Sequence, residues 1–286
     1  MPGLVIFGED DGFFAQGFNA ARDRLFQIDL WRRRGLGQLS EVFGPAYVEQ
    51  DRATRLFLYR ASIEKEWATY GPDAKQITAS FVAGINAYID WVLAHRDQLP
   101  VEFQVLGYDP LKWDVADVVR IRSHGLTRNV TSEVARAKTM CAAGVEYDEA
   151  RAMLQPPWKV QVPAGLDPCL PADVLKVFTL ATQSVPFTKP NNDGAADGSN
   201  NWVIGPAKSA TGRPILAGDP HRAYSTPSLR YIAHISAPGL DVIGAGEPAL
   251  PGISMGHNGT IAFGLTIFPI DQEDLYVYEL NPANPR

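Results

Sequence analysis

Apolar residues recur along the first half of the chain at helical intervals. Phe14, Phe18, Ala21, Leu25 and Ile28 are spaced by four and three, which places them on one face of a helix. Gly35, Gly37 and the "FGP" at 43–45 break that pattern and predict its end. A second stripe, Ile77, Phe81, Ile85, Tyr88 and Val92, follows the "GPD" at 71–73 and predicts another helix. Further helical stretches are expected near 115–140 and 147–154. Stripes of this kind build a core and carry no chemistry of their own.

The pattern changes after about residue 155. "LQPPWKVQVPAGLDPCLP" is rich in proline and has no period. "TKPNNDGAADG" at 188–198 is almost without apolar content, so it is expected to be an exposed, mobile linker. From Ser199 onward short β-forming runs follow one another: "NWVIG", "RYIAHIS", "DVIGAG", "TIAFGLTIF" and "DLYVYEL". The Asn-Gly of "HNGT" at 257–260 predicts a tight hairpin between two of them. The expected fold class is therefore α+β, with a helix-rich first half and an antiparallel β second half. No internal repeat interrupts this order.

Length and charge narrow the picture further. A chain of 286 residues can bury a large core, as one large domain or two smaller ones. The net charge of −6, with no basic stripe on an aromatic-rich strand, gives no reason to expect a nucleic-acid partner. "RRR" at 32–34 shares a helical pattern with Asp23 and Asp29 and reads as a solvated or ion-paired helix face. No apolar run is expected to reach the length of a membrane span. No charged, then apolar, then small-residue leader opens the chain, so its start does not fix a compartment. Cys141 and Cys169 lack CxxC spacing, which weighs against zinc and thioredoxin-like chemistry. Whether they pair depends on a compartment the sequence does not state.

Candidate chemistry begins at "DGSNNWVIGP", 197–206, where a serine stands between a glycine and the head of a strand. A strand-start serine needs no function. A serine hydroxyl becomes a good nucleophile only when a base takes its proton. Cutting the chain before Ser199 would supply that base as the freed α-amine, which titrates near ~7.7–8.0 when unperturbed. Ser199 Oγ could make the cut itself by attacking the carbonyl of Gly198, a residue without Cβ that tolerates the backbone this requires.

The residues around that serine resemble the penicillin acylases, or penicillin amidases, of the N-terminal-nucleophile hydrolases. The likeness extends from "GSNNW" to "FFAQGFNAARDRLFQIDLWRRRGLGQLSEVFG" at 13–44, "LAGDPHR" at 216–222, "PGISMGHNGTIAFGLTIF" at 251–268 and "DQEDLYVYEL" at 271–280. It covers most of the chain, in the family's order and at its spacings. The resemblance implies a four-layer αββα fold, with residues 1–170 as an α-chain region, 171–198 as a linker and 199–286 as the start of a β chain. It implies self-cleavage between Gly198 and Ser199, an α/β heterodimer, and Ser199 as the nucleophile against a small-molecule amide.

Other roles follow from the same resemblance. His221 falls where members carry a His or Gln at the serine's amine or hydroxyl; alone, it reads as a turn histidine after Asp219-Pro220. Ile267 matches the position whose backbone N–H meets the developing oxyanion. Arg222 stands where phenylacetyl-specific members have an aromatic residue; a guanidinium there suits a polar or anionic acyl group better than a phenyl ring, the alternative being an outward-facing ion pair. Glu133, Asp271 and Asp274 match carboxylate ligands of a structural calcium, a hard ion that takes oxygen donors. By resemblance, the compartment is the periplasm or the exterior.

The pattern also departs from the family. "MPGLVIFGEDDGFF" stands where an earlier strand is usual, and the chain ends at Arg286, before the asparagine that supplies the second oxyanion donor. The sequence is therefore expected to be a piece truncated at both ends, weakly active or inactive by itself. Two rivals remain. One is a non-catalytic remnant of such an enzyme. The other is an α/β-hydrolase-type esterase using Ser254 in the G-x-S-x-G at 252–256, a motif that requires a strand before it and a helix after it. Here "EPALP" and the hairpin-forming "HNG" flank it instead.

Overall fold

The computed structural model describes residues 8–121, 129–151, 159–183, 185, 198–221, 226–266 and 271–284. Helices come first: α1 (Glu9–Leu36), α2 (Ser40–Phe43), α3 (Val48–Phe57), α4 (Ile63–Trp67), α5 (Ala74–Ala94), α6 (Val101–Leu106), α7 (Val115–Arg120), α8 (Val130–Ala143), α9 (Val145–Arg151) and α10 (Lys176–Thr182). Strands follow: β1 (Gly198–Ile204), β2 (Ile215–His221), β3 (Tyr231–Ala237), β4 (Leu240–Gly246), β5 (Met255–His257) and β6 (Ala262–Phe263). The fold is α+β, in the order the patterning predicts. The chain divides into two compact units, Met1–His124 with Ala181–Ile267, and Gly125–Leu180 with Phe268–Arg286.

The first unit is built on α1 against α5. Most of both predicted stripes is buried here, with Phe14, Phe18 and Ile77 half-buried: Leu25 and Ile28 of α1 share one cluster with Phe81, Ile85, Ile89 and Val92 of α5. The helices touch through backbone at two glycines. A Cβ on Gly17 would lie 1.9 Å from the carbonyl oxygen of Phe81, and one on Gly84 would lie 2.0 Å from that of Phe14. Only a residue without a side chain permits so close a crossing. By length and composition α5 could cross a membrane, which corrects the expectation that no apolar run is long enough. Its apolar side chains are instead the centre of this core.

The "RRR" run is ion-paired, and two of its members are buried rather than solvated. Arg32 Nε donates to Asp117 Oδ2 at 2.7 Å, and Arg33 Nε donates to Asp29 Oδ2 at 2.8 Å. The Arg33 guanidinium also lies over the Tyr108 ring, 5.0 Å from its centroid. Burial alone pushes the Asp29 carboxyl up, and the charge and hydrogen bond of Arg33 oppose that push. Buried charges persist only when paired in this way. Arg34 points elsewhere, donating to the carbonyls of Thr182 and Gln183. Helix α10 thus puts regular structure inside the stretch expected to be linker, with Ala181 and Thr182 buried.

The first unit holds two antiparallel sheets, β1-β2 and β3-β4-β5-β6. The predicted Asn-Gly hairpin joins β5 to β6: Asn258 N–H donates to the Ile261 carbonyl at 3.1 Å, and Gly259 takes φ +83. Ile235 of β3 is buried and meets the first turn of α1, where a Cβ on Gly12 would be 3.1 Å from it. One contact joins two of the stretches quoted above. The buried Gln16 amide accepts from Gly252 N–H at 2.8 Å and donates to Gly252 O and Tyr231 OH, each at 2.8 Å.

In the second unit, Cys141 and Cys169 form a disulfide. Asp148 is fully buried between two guanidinium groups, Arg151 on one oxygen and Arg136 on the other, at 2.8 and 3.0 Å. "DLYVYEL" forms no strand among the described residues, whereas the β-forming composition predicts one. A strand exists only when a neighbour satisfies its backbone, and no partner strand lies beside it among the described residues.

Candidate functional site

Ser199 is the second residue of β1, and its place in the ladder is set by the residues opposite. Gly198 pairs with His221, Ser199 with Pro220, and Asn200 with Asp219. Antiparallel pairs alternate between those that exchange two hydrogen bonds and those that exchange none. Pro220 has no N–H to give, so Ser199–Pro220 is of the second kind. The backbone nitrogen of Ser199 therefore points away from β2. Gly198–His221 and Asn200–Asp219 are of the first kind.

Side chains alternate across the same ladder. Ser199 leaves on one face with Asn201, whose amide donates to the Gly264 carbonyl at 3.0 Å. The Ser199 hydroxyl donates to the carbonyl oxygen of Gly198, the bond expected to be cut. Asn200, Asp219 and His221 occupy the other face. His221 Nε2 lies 3.0 Å from Asp219 Oδ2, and Asn200 Nδ2 lies 3.4 Å from that same oxygen. The hydrogen bond from His221, then that from Asn200, holds the Asp219 carboxyl below the usual range. His221 thus stands level with Gly198, with its ring on the opposite face from the Ser199 hydroxyl. Arg222 and Ile267 lie outside the described residues.

The expected calcium carboxylates all belong to the second unit, Glu133 in the first turn of α8 and Asp271 and Asp274 in the segment at 271–274. Burial raises the Glu133 carboxyl, and the nearby charges of Asp271 and Asp274 raise it further. Asn129, one turn before Glu133, clasps the same segment. Its Oδ1 accepts from the N–H groups of Gln272 and Glu273 at 3.0 and 2.9 Å. Its Nδ2 donates to Asp271 Oδ1 at 2.7 Å and to Glu273 O at 3.1 Å. Glu273 in turn accepts from Val130 N–H, capping α8. Among the described residues no three acidic, histidine or cysteine groups stand close enough to hold a metal. The donors are hard oxygens of the kind calcium takes, from two separate segments.

Ser254 does not sit on a strand-to-helix turn. Its N–H donates to the Ala245 carbonyl at 2.9 Å, and the next residue begins β5. Sequence reasoning missed Asp219, Asn129 and Gln16. Asp219 was visible as the i−2 neighbour of His221, which shares its strand face. Gln16 was visible as a polar residue inside the buried stretch of an amphipathic helix.

The first unit thus presents a serine at the head of an antiparallel ladder, its hydroxyl on the carbonyl before it and a histidine–carboxylate pair on the reverse face. Residues 7–286 match the family model described as penicillin amidase, and the chain belongs to that family. It is 32% identical to a penicillin acylase 2 proenzyme of Pseudomonas sp. (strain SE83), across 97% of this chain and 36% of that protein. It is 31% identical to an acyl-homoserine lactone acylase QuiP of Pseudomonas aeruginosa, across 100% of this chain and 34% of the relative. A solved chain of a thermostable penicillin G acylase from Alcaligenes faecalis superposes with a TM-score of 0.44 at 26% identity, over 57% of this chain and 93% of its own. The chain spans about a third of the length of the curated relatives it matches.

Proposed function

We propose that this chain is the part of an amide hydrolase that carries the nucleophile, and that Ser199 becomes that nucleophile when the chain cuts itself before it. The observation that carries the reading is the setting of Ser199 in the ladder. Its hydroxyl is on the Gly198 carbonyl, and the pairing with Pro220 keeps its nitrogen out of the sheet. In maturation, Oγ adds to the Gly198 carbonyl carbon. The C–N bond breaks as the nitrogen gains a proton, and water hydrolyses the resulting ester. The products are a Gly198 carboxylate and a free Ser199 amine.

That amine then serves as the base. It accepts the Oγ proton while Oγ attacks the substrate amide, and it returns a proton to the leaving nitrogen. Water releases the acyl group from the serine. The backbone N–H of Ile267 is the proposed oxyanion donor, a role that contributes about 2.7–4 kcal/mol in serine hydrolases. The substrate class is an N-acyl amide, in keeping with the penicillin and acyl-homoserine lactone acylases it resembles, and Arg222 favours a polar or anionic acyl group.

The complete protein under this reading is an α/β heterodimer with the αββα stack. Glu133, Asp271 and Asp274 are the proposed ligands of a calcium ion that would have to draw them together; hard oxygen donors from two segments, with charges that act on one another at Glu133, support this. An exported location is supported by the Cys141–Cys169 pair, since disulfides persist in oxidising compartments. Intact mass and N-terminal sequencing test the central step. The wild-type chain should yield a piece beginning at Ser199, and Ser199→Ala should yield none. An alanine variant that still parts at that bond would refute self-cleavage.

A further inference from the structure

The end of α10 is pinned by its main chain, and the pinning groups come from α1 and α3. Arg34 Nη2 donates to the Thr182 carbonyl at 2.7 Å, and Arg34 Nε donates to the Gln183 carbonyl at 2.8 Å. Gln50 Nε2 reaches the same Gln183 carbonyl at 3.3 Å, and Gln183 Nε2 donates back to Gln50 Oε1 at 3.2 Å. The last carbonyls of a helix have no partner inside it, and the planar guanidinium fork suits two of them at once. Ala181 is fully buried, and Thr182 and Gln50 are buried too. Within the second unit, the Cys141–Cys169 bond and a hydrogen bond from Lys138 Nζ to the Ala172 carbonyl at 3.5 Å hold the upstream end of the same stretch.

We propose that Arg34 and Gln50 form a retaining clamp on Thr182 and Gln183, so that the chain up to Gln183 stays with the helical part of the protein after maturation. A linker removed on maturation, expected to start at residue 171, then starts no earlier than the residue after Gln183. This inference rests on the maturation reading for its purpose and not for its geometry. A protease needs an opened segment, so a bond in a held stretch is cut only in the fraction of molecules where that stretch has come free. Freeing this one breaks four hydrogen bonds, two of them from a charged donor, and brings Ala181 to water. The clamp grips main-chain carbonyls, so it fixes where the retained piece ends and places little demand on its side chains.

Limited trypsin digestion of the full chain reads the clamp at one bond. Lys176 is exposed and is the last Lys or Arg before the clamp, so cutting there gives a piece that begins at Val177. Arg34→Ala should speed that cut by about 10- to 100-fold, and Gln50→Ala, which leaves α1 untouched, by about 2- to 10-fold. Arg34→Lys keeps the charge without the fork and should fall between wild type and Arg34→Ala. Cutting after Arg22, in the middle of α1, reports opening of the core and should not change. An unchanged rate after Lys176 in either alanine variant overturns the clamp. Equal acceleration after Arg22 also overturns it, because the residue would then support the whole unit. In wild-type protein that has parted at Gly198–Ser199, intact mass should show no upstream piece ending before Gln183. A piece ending earlier overturns the proposal and leaves the maturation reading standing. If the chain never parts there, the maturation reading falls, and the digestion still decides the clamp.

Discussion

Glu133 shows how a single carboxyl reports on its neighbours. Burial raises it first, and then the charge of Asp271. A carboxyl whose folded value is raised adds stability below its ordinary range and loses that contribution as pH climbs through the raised value. The metal-free chain should therefore melt at a lower temperature as pH rises through that window, and Glu133→Gln should flatten the slope. Added calcium should raise the melting midpoint of the wild type and leave Glu133→Gln nearly unmoved; equal gains in both would remove Glu133 from the site. Asn129→Ala strips two backbone N–H groups and Asp271 of their partner. It should cost about 1–3 kcal/mol in denaturant unfolding. Of Glu133 and Asn129, only Glu133 is marked in the sequence, by its match to the family's motif. Asn129 is not, because its partners lie more than 140 positions away.

At the scale of elements, periodicity was informative wherever one face is apolar. It located α1 and α5, and the Asn-Gly signal located the β5–β6 turn. It missed β2, because "GDPH" carries three residues that local rules assign to turns. The ladder accommodates Pro220 because the pair it makes with Ser199 exchanges no hydrogen bonds. It also missed α10, whose seven residues are too short a stretch to show a period. The crossing of α1 and α5 is the most sensitive joint in this layer. Gly84→Ala would drive its Cβ to 2.0 Å from a main-chain oxygen that no rotamer change can move. Overpacking of this kind costs about 1–3 kcal/mol, occasionally more. Thermal melting of Gly84→Ala should show that loss, and an unaltered midpoint would mean that the helices do not cross there.

For the whole molecule, the proposed cut severs the backbone between elements that stay bonded to each other. Gln16 reaches from the first helix to Gly252 and Tyr231 with three hydrogen bonds. After processing, those bonds would join two polypeptides. Gln16→Ala should leave the pieces separating at a lower denaturant concentration, by about 1–3 kcal/mol, as read by size-exclusion chromatography of the processed protein. Identical separation of variant and wild type would show that Gln16 does not join the pieces.

The bridge from Cys141 to Cys169 closes a loop with a sequence separation of 28, and Gly198 lies beyond it. Gel mobility therefore discriminates between two kinds of break. A protease nick within the loop stays hidden until thiol is added, because the halves remain covalently tethered. Scission at Gly198–Ser199 liberates its downstream fragment with or without reductant, so a non-reducing lane alone distinguishes maturation from accidental damage inside that ring.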